Sequence, residues 1–176
     1  YKRQYENFVG LDQYVQLWSM DRWYVALKNL AIFSILYVGG SMLVGMILAI
    51  FLDQKIRAEG WLRTIYLYPM ALSFIVTGTA WKWILNPSDG LQKLMHDIGW
   101  TTFNFDWLVQ SDYAIYCVVI AGIWQSAGFA MALFLAGLRG IDDSIIKAAQ
   151  IDGASLPLIY WRIILPILRP VVFSTI

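Results

Sequence analysis

Few side chains of this sequence could carry out covalent or metal chemistry. The chain has one histidine, His96, and one cysteine, Cys117, which are too few for a zinc or iron–sulfur site and exclude an internal disulfide. His96 has only Asp97 as an acidic neighbour in sequence, so a surface histidine is expected rather than a metal ligand or general base. The paired carboxylates Asp142 and Asp143 precede a helical pattern and are expected to cap it. The sequence therefore predicts a protein that is not an enzyme.

One polar group falls in the middle of a long apolar stretch. Gly122, Gln125, Ser126 and Phe129 follow one another at i, i+3, i+4 and i+7, which places them on one face of a helix. Such a face offers hydrogen bonds and an aromatic surface to an uncharged polar ligand. The alternative is that Gln125 bonds only to a neighbouring helix, an interaction worth roughly 0.6–2 kcal/mol.

The composition indicates that these residues belong to a membrane protein. Hydrophobic residues make up 59% of the 176 residues and charged residues 14%, whereas soluble domains average about 45–50% and about 25%. Thirteen Lys and Arg nearly balance twelve Asp and Glu, so the charge does not favour binding to nucleic acid. Because it opens on Tyr1 and stops at Ile176 within an apolar run, the sequence is expected to be a fragment of a longer protein.

Uncharged stretches predict an all-α, polytopic transmembrane helix bundle, with residues 1–176 forming a single domain. A helix rises about 1.5 Å per residue, so a hydrocarbon core of about 30 Å needs about 20 apolar residues. Three stretches can form complete spans and a fourth is the start of another: residues 29–52, 61–85, 112–138 and 163–176. Residues 1–28 are expected to lie along the membrane as an amphipathic segment. Pro69 removes one backbone hydrogen bond, so the second span is expected to bend.

Residues 140–162 connect the third span to the fourth and predict two short helices separated by a glycine. A slightly higher density of positive charge in residues 53–63 and 139–169 than in residues 1–28 and 82–111 agrees with a cytoplasmic position for this segment but does not establish it alone. Asp142 can start the first helix, and Gly153 has the backbone freedom to end it. One face of that helix is small and apolar and ends in a carboxylate; its residues are Ile145, Ala148, Ala149 and Asp152. A docking element is therefore predicted, with an inert surface helix as the alternative.

The same segment resembles the EAA loop of ABC-importer permeases. That motif has the form Glu-Ala-Ala, three residues, Gly, nine residues, Ile-x-Leu-Pro, and the spacing here matches throughout. The matching residues are Ala148, Ala149, Asp152, Gly153, Ile163, Leu165 and Pro166. Lys147 stands where the family usually has Glu, so a salt bridge from that Glu to the ATPase would be absent or reversed in sign.

Further short motifs are similar to permeases of the maltose and glycerol-phosphate type, so that the resemblance covers essentially the whole chain. They are residues 8–14 before the first span, 67–69 in the second, 81–83 and 86–87 after it, and 136–138 at the end of the third. Many relatives have a second Pro where this sequence has Phe74, which predicts a smaller bend in the second span.

The resemblance implies a permease subunit of an ABC sugar importer, a multi-pass protein of the bacterial inner (plasma) membrane whose core usually has six helices. Its partners would be membrane lipid, a cytoplasmic ABC ATPase dimer, a second permease subunit and an extracytoplasmic sugar-binding protein. The chain would hold no cofactor, because the partner ATPase binds ATP and Mg. The ATPase-coupling residues would be Lys147, Ala148, Ala149, Asp152, Gly153, Ile163, Leu165 and Pro166, with Gly153 as the hinge.

In the maltose permease the matching part of the third helix lines the substrate cavity. The resemblance therefore implies that Gly122, Gln125, Ser126 and Phe129 form a substrate path here. A polyol or glycerol phosphate remains an alternative to a sugar, although a phosphate favours Arg or Lys at membrane depth and the spans offer none. An ion-driven secondary transporter is a further alternative, and it would need ionisable residues deep within the spans, whereas Lys82 lies near an end of the second span.

Overall fold

Two helices are long and apolar enough to cross a membrane. In the computed structural model, which describes residues 10–54 and 56–175, they are α2, Asp21–Asp53, and α6, Ala114–Arg139. The first begins at Asp21 rather than at residue 29. Residues 21–28, expected in the preceding amphipathic segment, therefore continue the first long helix, and residues 1–9 of that segment lie outside the described part.

The remaining elements are short helices, and no strand occurs in the described ranges, which confirms the all-α prediction. They are α1 (Asp12–Trp18), α3 (Glu59–Leu67), α4 (Phe74–Ile84), α5 (Leu91–Asp97), α7 (Asp143–Ile151), α8 (Leu156–Ile159), α9 (Leu165–Ile167) and α10 (Arg169–Thr175). A 3₁₀ turn, Tyr68–Ala71, follows α3, and a π-helical turn, Tyr160–Ile164, joins α8 to α9.

The core lies between α2 and α6 and continues into the segment after α6. Its buried residues from the two long helices are Ala49, Leu52, Ala130, Met131, Phe134, Leu135 and Leu138. The two backbones approach closely at Gly45, because a Cβ atom there would lie 2.6 Å from the Ala130 Cβ atom and 2.9 Å from the backbone nitrogen of Met131. Small residues at such a crossing let two helices pack closely where lipid surrounds them.

The second predicted span is broken rather than bent. Residues 61–85 divide into α3, the 3₁₀ turn that contains Pro69, and α4, and both helices are shorter than a bilayer requires. Leu72 and Ser73 have extended backbones, and Ser73 starts α4 by accepting a hydrogen bond from the Ile75 nitrogen at 3.3 Å. A serine cap thus interrupts the helix just before Phe74. The smaller bend expected from Phe74, relative to relatives with a second Pro, stays a prediction.

The predicted fourth span is also interrupted. Leu156–Ile167 and Arg169–Thr175 meet at an angle of 63°, and both together are apolar enough to count as one bent span. Pro166 has no N–H to offer the carbonyl four residues before it, and the π-helical turn precedes it, with the N–H of Leu165 donating to the oxygen of Tyr160. Pro170 lies just after the bend at Leu168.

We predict that Gly45→Ala lowers the free energy of unfolding by about 1–3 kcal/mol, because the added methyl group would overlap Ala130 and the backbone of Met131. Thermal unfolding of the purified full-length protein in detergent measures this change. Gly39→Ala is the matched control on the same helix, since a Cβ atom at Gly39 meets nothing within 4 Å. Equal midpoints for the two variants would contradict the close approach at Gly45.

Candidate functional site

The helix predicted to contact a partner, α7, begins at a capping carboxylate. The Oδ1 atom of Asp142 accepts a hydrogen bond from the backbone nitrogen of Ser144 at 2.8 Å, which confirms Asp142 as the cap. That backbone bond, followed by one from the Ser144 side chain, holds the pKa of Asp142 below its ordinary value. The carboxylate therefore stays ionised at neutral pH, at the helix end where a negative charge is favourable.

The same helix ends at a glycine in the left-handed region. Gly153 has a φ of +81°, its N–H donates to Gln150, and the N–H of Ala154 donates to Ala149, both at 3.0 Å. These two bonds form a Schellman motif, which confirms Gly153 as the helix stop. No atom lies within 4 Å of where its Cβ atom would be, so the backbone conformation, and not space, requires glycine here.

The apolar face of α7 does not form one surface. Ala149 is 7% exposed and belongs to the core cluster, and Ile146 packs against the same cluster. Ala148 and Ile145 are exposed, as are Lys147 and Asp152. Ile151, which no motif marked, is 85% exposed. The expectation of one face that contains Ile145, Ala148, Ala149 and Asp152 is therefore wrong, because Ala149 faces the protein's own core.

The rest of the predicted coupling segment is attached to the same core. Ile159, Ile164 and Leu168 are buried in the cluster that contains Leu52 and Leu138, at the ends of α2 and α6. Of the motif residues here, Ile163 is partly buried against this cluster, Leu165 is half-buried and Pro166 is exposed. Residues 140–168 are thus held to the ends of the two long helices by apolar contacts.

An ion pair joins two further ends at this side of the bundle. The Nη2 atom of Arg139, in the last turn of α6, lies 2.7 Å from the Oε1 atom of Glu59, in the first turn of α3. It brings the segment around residues 53–63 to the same side as residues 140–162, which agrees with the placement by positive charge.

The four residues of the predicted path border two adjacent cavities. A cavity of about 230 Å³ between α2, α4 and α6 includes Gly122, Gln125 and Ser126 in its lining. A second, of about 190 Å³, includes Ser126 and Phe129. Tyr37 lines both cavities, and its hydroxyl is hydrogen-bonded to that of Ser126 at 2.5 Å. The structure therefore brings all four together, and it adds Tyr37, which belongs to no motif found in the sequence.

Gln125 makes a hydrogen bond to the broken segment. Its side chain is 6% exposed, and its Nε2 atom donates to the backbone oxygen of Leu72 at 2.9 Å. This carbonyl belongs to the extended residues between α3 and α4, where no helical partner is available. The alternative considered for Gln125, a bond to a neighbouring element, is therefore present, and the partner is a backbone break that the sequence did not reveal.

The remaining candidates for chemistry, His96 and Cys117, are not among the residues that line these two cavities or form the segment 140–168. The Nε2 atom of His96 is 2.7 Å from the backbone oxygen of Phe103, within the segment after α5. Cys117 is buried on α6. Within residues 10–54 and 56–175, no three His, Cys, Asp or Glu side chains come together as a metal site.

Comparison with known proteins gives concordant matches. Residues 41–176 match the model of the family described as binding-protein-dependent transport system inner membrane component. A probable ABC transporter permease protein of Pyrococcus horikoshii is 42% identical over 161 residues, which are 91% of this chain and 55% of that protein. The xylose/arabinose import permease protein XacH of Haloferax volcanii is 38% identical over 164 residues, 92% of this chain and 50% of that protein.

A solved structure has the same fold. It is a bacterial ABC transporter involved in the import of the acidic polysaccharide alginate, and one of its chains superposes with a TM-score of 0.84 at 24% identity over 97% of this chain and 60% of that one. This chain spans about half the length of the curated relatives that it matches. From the family model and the two relatives together, the chain belongs to the binding-protein-dependent transport system inner membrane components, a family of ABC permease subunits and not of enzymes.

Proposed function

We propose that this chain forms the translocation path of an ATP-driven sugar importer and that residues 140–162 couple it to a cytoplasmic ABC ATPase. The observation that carries the proposal is the division of α7 into two faces. One face, with Ala149, is packed into the core between the long helices, and the other, with Ala148 and Ile151, is exposed. A partner that binds the exposed face of α7 could therefore move the membrane helices through the contacts of its buried face.

The exposed face of α7 suits a groove on the ATPase. A short helix that presents Ile145, Ala148 and Ile151 offers apolar anchors with little side-chain bulk at Ala148. Asp152 and Gly153 lie at the end of this face, and exposed Lys147 stands beside it. Because Lys147 is cationic where relatives usually have Glu, the ATPase surface opposite it is proposed to be acidic or neutral.

Movement of the docked segment would pass into the bundle through its buried contacts. Ala149 and Ile159 share a cluster with Leu52 of α2 and Leu138 of α6. The ion pair between Glu59 and Arg139 would carry the same movement to α3. Interdigitated apolar contacts resist gradual deformation, so closure of the ATPase would shift these helix ends together.

The other partners follow from the family. The chain would act with a second permease subunit, an ABC ATPase dimer that holds ATP and Mg, and an extracytoplasmic sugar-binding protein, in the inner (plasma) membrane of a bacterium or archaeon. The predicted spans, residues 29–52, 61–85 and 112–138 with the start of a fourth at 163–176, would make it multi-pass. The broken backbone at Leu72 and Ser73 would be tolerated at membrane depth because Gln125 bonds the carbonyl of Leu72.

A neutral sugar is the proposed substrate. Both cavities are lined without any Lys, Arg, Asp or Glu side chain, and they offer hydroxyl, amide and aromatic groups. A ligand with a phosphate or carboxylate group would be bound most strongly by Lys or Arg side chains, and neither cavity lining contains one. XacH, named for xylose and arabinose, supports a pentose or another small sugar as the cargo.

We predict that Ile151→Asp weakens binding of the ATPase at least about tenfold, because an exposed apolar anchor would become a charge at the proposed interface. Recovery of the ATPase with affinity-purified full-length permease measures the change. Ile98→Asp is the matched control, since Ile98 is also exposed but follows α5, away from residues 140–162. Similar recovery with both variants would remove Ile151 from the interface.

We predict that Gly153→Val abolishes coupling of ATP hydrolysis to uptake, whereas Gly153→Asn retains a substantial part of it. Valine rarely adopts a φ of +81°, and asparagine does so far more readily. ATP-driven uptake and sugar-stimulated ATPase activity in proteoliposomes measure the difference. Wild-type coupling in Gly153→Val would contradict the hinge role, and equal losses in both variants would contradict the backbone explanation.

We predict that Gln125→Leu slows uptake severalfold while the complex still assembles, because the carbonyl of Leu72 loses its partner and the break between α3 and α4 is no longer fixed. Gln92→Leu is the matched control. It removes the 2.8 Å hydrogen bond that Gln92 on α5 accepts from the Phe105 nitrogen, and this bond lies outside the two cavities. Unchanged uptake by Gln125→Leu, or the same loss in both variants, would exclude a specific role for Gln125.

A further inference from the structure

A third cavity, of about 140 Å³, lies between α4, α6 and the segment that follows α5. Unlike the two cavities of the predicted path, it includes neither Gln125 nor Ser126 in its lining. No lining residue has a hydroxyl, amide or carboxylate side chain, and most are apolar: Trp81 and Leu85 of α4, Leu108, and Cys117, Val118 and Ala121 of α6. Sugar hydroxyls would lose water there and find few hydrogen-bond partners, so the cavity suits an apolar group.

Aromatic contacts hold the walls of this cavity in place. Trp81 lies edge-to-face against Trp124 of α6, with ring centroids 5.8 Å apart. Leu108 comes from the segment after α5, where its neighbour Trp107 packs against Tyr116 of α6 with ring centroids 6.1 Å apart. The wall from α4 and the wall from the segment after α5 are therefore both attached to α6.

Lys82 places one cation beside this apolar space. It lines the cavity, it is exposed, and it lies in the last turn of α4, where the helix dipole favours a positive charge. The described residues form two ion pairs, Asp89 with Lys93 and Glu59 with Arg139, and Lys82 belongs to neither. Its ammonium group is therefore available to an anionic ligand.

The cavity lies at the end of the bundle opposite residues 140–168. Cys117 belongs to the first turn of α6, whereas Arg139 at the other end of α6 meets α3. Trp83, next to Lys82, is 71% exposed, and Trp and Lys at the end of an apolar helix mark the boundary between membrane and water. The cation therefore lies at this boundary, with Gly78 of the lining one helical turn deeper.

An anionic phospholipid matches this combination of groups. Its phosphate can lie beside the ammonium group of Lys82 while part of an acyl chain enters the apolar space. At about 30 Å³ for each water-sized group, a cavity of about 140 Å³ admits only a few methylene groups. A zwitterionic lipid carries its own cation close to the phosphate, so it gains less from Lys82.

Such a lipid would also complete the packing of α4. The buried residues here are Thr77, whose hydroxyl makes no hydrogen bond within the described ranges, and Leu85, just after the helix end. Phe74, Ile75 and Trp83 on the same helix are largely exposed. An acyl chain between α4 and α6 would bury apolar surface that the side chains of these two helices leave open.

We propose that this cavity binds one anionic phospholipid, with its phosphate against Lys82 and part of an acyl chain between α4 and α6. Residues 140–168 lie at the opposite end and are proposed to face the cytoplasm, so the lipid comes from the outer leaflet. The proposal uses the membership of the chain in a membrane-protein family and needs neither the sugar cargo nor the ATPase.

The test measures lipid binding to the full-length permease, purified with its partner subunits and delipidated in detergent, by native mass spectrometry. Wild type is expected to bind phosphatidylglycerol more tightly than phosphatidylcholine. Lys82→Ala is expected to lower the affinity for phosphatidylglycerol about fivefold and to leave that for phosphatidylcholine unchanged. Lys93→Ala is the matched control, because Lys93 is also exposed but lies 3.6 Å from the carboxylate of Asp89. Equal affinities for Lys82→Ala and wild type would overturn the proposal.

Thermal unfolding distinguishes lipid binding from a role of Lys82 in folding. Without added lipid, Lys82→Ala and Lys93→Ala are expected to unfold at the wild-type temperature, since both side chains are exposed. Added phosphatidylglycerol is expected to raise the midpoint of wild type and Lys93→Ala more than that of Lys82→Ala. A lower midpoint of Lys82→Ala without lipid, followed by the same rise as wild type, would make Lys82 structural and contradict the site.

A photoreactive lipid locates the site. Phosphatidylglycerol with a diazirine in its acyl chain is expected to cross-link to the peptide that contains Cys117 and Ala121, and to do so less in Lys82→Ala. Glycerol 3-phosphate in excess is expected not to compete. Cross-links confined to other peptides would overturn the site, and competition by glycerol 3-phosphate would replace the lipid with a soluble organic phosphate. None of these measurements depends on transport, so failure of the proposed importer would leave their outcome unchanged.

Discussion

The close approach of α2 and α6 at Gly45 is the constraint on which the other features depend. With Gly45 against Ala130 and Met131, the two long helices lie near enough for Tyr37 of one to reach Ser126 of the other. The same approach brings Leu52 and Leu138 together at the helix ends, where they form the apolar surface that receives Ile159. The cavities and residues 140–168 are therefore positioned by one helix pair, and a change in its spacing would alter both.

The break between α3 and α4 brings polar chemistry into an otherwise apolar bundle. An extended backbone at membrane depth leaves N–H and C=O groups that lipid cannot satisfy. Gln125 bonds the carbonyl of Leu72, and Ser73 caps the helix that follows. Thr77, one turn farther along α4, lines the cavity between α2, α4 and α6. The residues that satisfy the broken backbone are therefore close neighbours of the residues that line this cavity.

Features governed by local chemistry could be predicted from the sequence. The uncharged stretches around α2 and α6, the cap at Asp142 and the left-handed stop at Gly153 each follow from a few adjacent residues. Features governed by contacts distant in sequence could not. The inward position of Ala149 depends on the helix ends beneath it, and the unpartnered hydroxyl of Thr77 depends on how α4 is placed against α2 and α6. Helical spacing identified which residues share a face, but not whether that face meets a partner, a cavity or the protein's own core.

For the ion pair between Glu59 and Arg139, it also matters which of the two residues lies at which helix end. Glu59 lies in the first turn of α3 and Arg139 in the last turn of α6, so each charge also has the favourable sign for its own helix dipole. Exchanging the two residues would preserve the attraction between them but would place each charge at a helix end that repels it. Related sequences should therefore lose this pair, or replace Arg by Lys, far more often than they invert it.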